Sequence, residues 1–197
     1  MKKTNKGFTL VELIIVIAIL AIIMLIAIPN FSGIQQRMQV RADKATAAQI
    51  GKAVRLWFTD YTTDKNLVDA AADEDIVPDE LPTPSDTTDG TISASVEYSK
   101  LAGIASYVTT TYRASSLKDA NGSAYKGADG KEGGYYTVLL TKNATDAGAK
   151  IAIAITSKDA TANISGVKTT EVKVDYDGAL STESGKESNG GVAYIEP

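Results

Sequence analysis

The sequence predicts an α+β fold, with one long N-terminal helix lying on a face of an antiparallel sheet. Two observations carry this. Apolar residues run unbroken from Leu13 to Ile28 and then recur at helical spacing as far as Tyr61. Nearer the C-terminus, short β-branched stretches alternate with Gly, Asn and Asp turns. A helix with one apolar face set over such a sheet is a two-layer design.

Composition excludes several chemistries. The 197 residues contain neither Cys nor His. That removes disulfides, thiolate zinc sites, iron–sulfur clusters and Cys nucleophiles. It also removes the commonest general base, so Ser-His-Asp hydrolases are excluded. Lys2, Lys3 and Lys6 concentrate positive charge at the start. Beyond Gly7 there are 17 basic against 24 acidic residues, a net charge of −7. Such a surface makes nucleic acid an improbable partner.

The predicted helix spans residues 8–61, about 80 Å if continuous. Phe31, Ile34, Met38, Ala42 and Ala45 recur at spacings of 3, 4, 4 and 3. Ile50, Val54, Trp57 and Tyr61 then form a second stripe, at spacings of 4, 3 and 4. Either the rod has two faces for two partners or it carries one ragged stripe. On the first reading, the second stripe packs beneath a globular head. Arg37, Arg41, Lys44, Lys52 and Arg55 line the polar side, with Asp43 as the only acid before Asp60. A basic helix edge of this kind suits either solvent or the acidic face of another subunit. Pro29 removes a backbone hydrogen bond and disfavours helix at Ile28, so a bend or local melting is expected there.

The N-terminus admits three readings: signal peptide, plain anchor, or something more specific. A signal peptide ends at a small-residue cleavage site, whereas here Pro29-Asn30-Phe31 follows the run. Residues 8–28 give about 31 Å of helix, the thickness of a bilayer core. The leading lysines place the N-terminus in the cytoplasm and the rest outside. Glu12 is out of place in a plain anchor, because a buried carboxylate costs on the order of 2–3 kcal/mol even on a lenient scale.

Lys6-Gly7-Phe8-Thr9-Leu10-Val11-Glu12-Leu13, the apolar run and Pro29 together resemble the N-terminal signature of type IV pilins, in their type IVa branch. The resemblance covers residues 1 to about 31 and implies the pilin fold. It implies that residues 1–7 are a leader, that a prepilin peptidase cuts after Gly7, and that Phe8 is then N-methylated. Residues 8–28 would be both the transmembrane and the polymerising segment. Glu12 would pair with the new Phe8 amine of a neighbouring subunit, and Pro29 would bend the helix. Physically, Gly7 lets the backbone enter a tight protease site. The freed amine is largely charged at neutral pH, and Glu12 is the only carboxylate before Asp43. Such a pair sets register more than it adds net stability.

Residues 62–197 form the head, with an αβ-loop region at 62–134 and the sheet and C-terminal region at 135–197. Asp, Thr and Pro dominate residues 62–95, which read as a connector. Residues 101–108 suit a short helix or a strand. Residues 117–125 weakly resemble the turn before the pilin sheet, with Asn121 where an aromatic is expected. Strands are predicted at 135–142, 150–157 and 171–176, with a fourth at 191–196. Ile151, Ile153 and Ile155 alternate with smaller residues, so one sheet face can meet the Ile50/Val54/Trp57 stripe. With no Cys to staple it, the C-terminal region must be held by pairing and packing. Cys-free members of the family point to a Gram-positive source.

Gly127, Gly130, Gly133 and Gly134 lack the strand, helix and G-K-[ST] of a phosphate cradle. Asp175 and Asp177 in DYDG are weak calcium candidates, lacking the remaining oxygen spacings of a calcium loop. No cofactor is expected, and no enzyme activity. The resemblance implies a major structural subunit that polymerises with itself into an extracellular pilus. Its expected partners are the prepilin peptidase, an assembly platform and motor ATPases, and it lies in the cytoplasmic membrane before assembly. Adhesion, surface motility or aggregation would follow. The alternatives are a pseudopilin of a secretion or competence system, and a minor tip pilin that acts as a binding module.

Overall fold

A computed structural model describes residues 7–64, 67, 76–77, 81, 91–92, 95–140, 150–157, 161–162, 167–168, 172–181 and 189–197. The side chains of residues 26–32, 91–92, 161–162, 167–168 and 189 fall outside that description. The chain forms two compact units, residues 1–38 and residues 39–197. Each is taken by itself.

Helix α1 covers Leu10–Thr63, two residues later at each end than the sequence predicts. The expected melting at Pro29 does not occur, since the backbone stays helical throughout 26–32. Proline costs the helix about one hydrogen bond and ~3 kcal/mol. A break would instead create two new ends, each with about four unsatisfied backbone groups.

In the second unit, α1 buries Ala47, Ile50, Val54, Trp57 and Tyr61 in the core. Complete burial of an Ile or Val side chain contributes about 1.5–3 kcal/mol, taken as an upper bound. Among the described residues the strands are β1 (Thr91–Ile92), β2 (Ser95–Glu97), β3 (Tyr135–Leu140), β4 (Ile151–Thr156), β5 (Thr161–Ala162), β6 (Val167–Lys168) and β7 (Asn189–Ile195). Five form an antiparallel sheet in the order β5-β2-β3-β4-β7, while β1 and β6 pair separately. In the β3–β4 register Tyr136 faces Ile155, Val138 faces Ile153, and Leu140 faces Ile151. These six join the helix stripe in one core. Leu139, Ala152, Ala154 and Val192 form a second cluster on the opposite face. The central strands are thus buried on both sides, and the expected face of Ile151, Ile153 and Ile155 does meet the stripe.

Three expectations need correction. The strand expected at 171–176 is absent among the described residues 172–176. Its alternating pattern is real, but Tyr176 turns into the core while Val174 stays exposed. Asp175 Oδ1 accepts the Val192 N–H at 2.7 Å, and the Asp175 and Tyr176 N–H groups share the Val192 carbonyl. A side-chain oxygen therefore takes the donor that a strand ladder would have used. The connector expected at 62–95, secondly, holds strand β1 and the first residue of β2, both strands too short to show a period. Residues 101–108 are neither a full helix nor a strand, holding one 3-10 turn at Ile104–Ser106 after Gly103. Strands β3 and β4 fall within the expected 135–142 and 150–157, β7 begins two residues before the expected 191–196, and no strand is expected where β5 and β6 lie; residues 141–142 and 171 lie outside the described residues.

Candidate functional site

The first turn of α1 holds the residues singled out for processing and assembly. Thr9 precedes the helix and Glu12 lies three residues on, so the two meet across one turn. The Thr9 N–H and hydroxyl each donate to Glu12 Oε2 at 2.9 Å, and the Glu12 N–H donates to Thr9 Oγ1 at 3.3 Å. This reciprocal arrangement is a capping box, and it satisfies donors that a helix start leaves unpaired. It also places a carboxylate at the positive end of the helix dipole. In the intact chain Glu12 is therefore engaged by Thr9, a partner within its own subunit.

Gly7 and Phe8 lie just outside the helix, and Phe8 is 87% exposed. A Cβ placed at Gly7 would have no neighbour within 4 Å. Phe8 is still joined to Gly7, so its amine is a peptide nitrogen and forms no ion pair with Glu12. Leu10, Val11 and every large apolar side chain from Leu13 to Leu25 are also exposed in the single subunit. Among the described residues no helix is long and apolar enough to cross a membrane. The apolar run continues over residues 26–28, whose side chains lie outside the description. Pro29 is placed within the helix, and its side chain is likewise not described.

Among the described residues, Asp175 and Asp177 are not joined by other acids into a calcium loop. Asp175 Oδ1 is taken by Val192, and Asp177 Oδ1 accepts the Ala179 N–H at 3.0 Å. Among the described residues no group of three or more acids is placed to hold a metal. The glycine-rich loop is a turn in which Gly127 N–H donates to the Lys131 carbonyl. Asp129 Oδ2 accepts from Arg113 at 2.7 Å beside it.

Two arrangements in the head were not anticipated. Asp43, expected on the polar side of the helix, is 4% exposed. Its carboxylate accepts from the Ser116 N–H at 2.8 Å, the Ser116 hydroxyl at 2.5 Å and the Ser115 N–H at 3.3 Å. Tyr136 approaches it at 3.4 Å, and Tyr176 pairs with Ser116 Oγ at 2.7 Å. Burial, followed by smaller effects that include the Asp43 charge, pushes both tyrosine hydroxyls well above their usual range. The second arrangement is at the C-terminal end. Arg55 grips the Glu196 carboxylate with two nitrogens, and the Ile151 N–H donates to the same carboxylate at 3.3 Å. The Arg55 hydrogen bond is the largest influence holding the Glu196 carboxyl below its ordinary value. A Cβ at Gly51, one turn before Arg55, would collide with the Tyr194 ring of β7.

The chain is similar to several known proteins. Residues 2–28 match the family model described as a prokaryotic N-terminal methylation motif. A fimbrial protein of Pseudomonas aeruginosa is 30% identical over 148 residues, covering 73% of this chain and 90% of that protein. The prepilin peptidase-dependent protein A of Clostridium perfringens is 43% identical over 56 residues, 27% of this chain and 40% of that one. The type IV major fimbrial protein FimA of Dichelobacter nodosus is 40% identical over 60 residues, 30% of this chain and 38% of that protein. The chain thus spans less than half of the latter two. No solved structure matches the chain.

Proposed function

Since the chain belongs to the type IV pilin family and is a structural subunit of an extracellular pilus, we propose how it reaches the filament. It is made as a prepilin whose leader, residues 1–7, is removed after Gly7 by a prepilin peptidase. Phe8 is then N-methylated. The segment 8–28 holds the subunit in the cytoplasmic membrane until a platform and motor ATPases draw it into a helical homopolymer. Filaments of this kind serve adhesion, surface motility or aggregation.

The observation that carries the reading is the joint placement of Gly7, Phe8 and Glu12 at the start of an apolar helix. Exposed apolar side chains from Leu10 to Leu25 call for lipid or other helices around them. Transfer from lipid into a helix bundle gains little hydrophobic energy, so packing and a polar pair must choose the register. Glu12 supplies that pair once cleavage frees the Phe8 amine. The carboxylate then exchanges its Thr9 bonds, in whole or in part, for the amine of a neighbouring copy. Fimbrial names among the relatives favour a filament subunit over a pseudopilin or a tip module.

Glu12→Ala tests the pairing. The variant should lose its leader normally and remain in the membrane, with filament yield reduced by about tenfold or more, the effect of losing a buried charge partner. Filaments at wild-type yield would overturn the role assigned to Glu12.

A further inference from the structure

Seven asparagines occur in the chain, and only Asn121 and Asn189 are followed by glycine. That neighbour matters chemically. A backbone nitrogen attacks the carboxamide before it most readily where no side chain shields the nitrogen, and glycine carries none. The two sites share this dipeptide and differ in their surroundings.

Asn121 and Gly122 are both exposed, in the turn 119–123. Asp119 Oδ1 accepts the Asn121 N–H at 2.9 Å and the Ser123 N–H at 2.8 Å. The Gly122 N–H donates to the Asp119 carbonyl at 3.0 Å. Gly122 has a φ of 77°, and a Cβ placed on it would have no neighbour within 4 Å. Freeing its nitrogen therefore means opening one exposed hydrogen bond in a turn with open space beside it. Openings of that kind lie at the low end of a protein's local unfolding free energies. Asn189 instead begins β7 and pairs with Thr156 of β4. Gly190 is buried, and a Cβ on it would lie 2.8 Å from the Ile155 carbonyl oxygen. To turn the Gly190 nitrogen onto the Asn189 carboxamide, the strand must leave the sheet.

We propose that Asn121 is a site of spontaneous deamidation and backbone isomerisation, and that β7 protects Asn189 from the same reaction. The Gly122 nitrogen bonds to Asn121 Cγ and gives up its proton, the Cγ–N bond of the carboxamide breaks, and ammonia leaves with that proton. Water then opens the cyclic imide at either of its carbonyls, which yields aspartate or isoaspartate at position 121. Both products set a second carboxylate in the same turn as Asp119, and isoaspartate also lengthens the backbone there. The turn is closed by the Asp119 N–H donating to the Ser123 carbonyl at 2.9 Å, and the Lys118 N–H beside it donates to the Gly178 carbonyl at 2.8 Å. Conversion loosens this corner of the head and marks a chain by its age, whether or not it sits in a filament.

The test follows both sites in one sample. Full-length chain in mild detergent is incubated at neutral pH, then digested and mapped by mass spectrometry with fragmentation that separates aspartate from isoaspartate. Asn121 should convert faster than Asn189 by about tenfold or more, the ratio set by the harder opening of a paired strand. In denaturant the two rates should draw together, since only the dipeptide then counts. Asn121→Gln should remove the new species while leaving Asn189 as slow as before. Equal rates at the two sites in the folded chain, or an intact Asn121 over a period in which the denatured chain converts, would overturn the proposal. Hydrogen exchange at Asn121 and Ser123 should quicken in the converted chain, and unchanged exchange there would contradict the loosening.

Discussion

Ser116 gives both its backbone N–H, at 2.8 Å, and its hydroxyl, at 2.5 Å, to one oxygen of the buried Asp43 carboxylate. A helix residue is thereby tied to the loop before the sheet, and through Tyr176 to the C-terminal region. In a chain without disulfides this polar knot fastens three separate parts of the head.

Asp43→Ala should destabilise the head by about 2–4 kcal/mol, because Ser115, Ser116 and Tyr136 lose a buried acceptor. Asp43→Asn keeps one acceptor oxygen and should cost less. Denaturant unfolding of the leaderless chain in mild detergent, followed by Trp57 fluorescence, measures both. Equal stability of wild type and Asp43→Ala would show that the knot contributes nothing.

The Arg55–Glu196 pair predicts an acid-sensitive component of stability. The Glu196 carboxyl has a lowered value in the folded state. Its contribution is therefore complete above the unfolded value of 4.5 and is lost as pH falls through the lower folded value. Because Arg55 is half-exposed, about 1 kcal/mol is expected. Glu196→Gln should lower stability by that amount above pH 4.5 and abolish the further loss as pH falls below it. Thermal melts of both proteins between neutral and acid pH provide the comparison.

Gly51→Ala should lower stability by about 1–3 kcal/mol, since the new methyl group meets the Tyr194 ring and overpacks the junction between α1 and β7. A second substitution, Tyr194→Leu, opens space there and should recover part of the loss. If Gly51→Ala instead stabilises the chain through its better helix propensity, the helix and strand are less closely packed than described.

Thr9→Ala removes the capping box and should cost the helix start about 1 kcal/mol. Hydrogen exchange in detergent should accelerate at residues 10–12 and remain unchanged beyond residue 39. Leader removal should continue, because Gly7 is untouched.

Much of this architecture is legible in the sequence because period and burial coincide. Ile50, Val54, Trp57 and Tyr61 show helical spacing and are buried, and Ile151, Ile153 and Ile155 face them from β4. Asp43 lies on that same stripe, since the steps 43–47–50–54–57–61 run 4, 3, 4, 3 and 4. Its charge suggests a solvated position, and only the donors from Ser115, Ser116 and Tyr136 make its burial tolerable. Those donors lie 72 to 93 residues away in sequence, beyond the reach of any local pattern. The 171–176 segment misleads for the opposite reason. It alternates like a strand, but Asp175 substitutes a side-chain oxygen for a ladder partner. At the N-terminus, Thr9-x-x-Glu12 has the spacing of a capping box, a use of that carboxylate distinct from the subunit pairing that the family resemblance implies.

Mass spectrometry of filaments sheared from the native cells tests processing at Gly7 and assembly together. The dominant species should begin at an N-methylated Phe8 and lack residues 1–7. An intact Met1–Gly7 leader on the filament subunit, or processed chains found only in the membrane fraction, would contradict it.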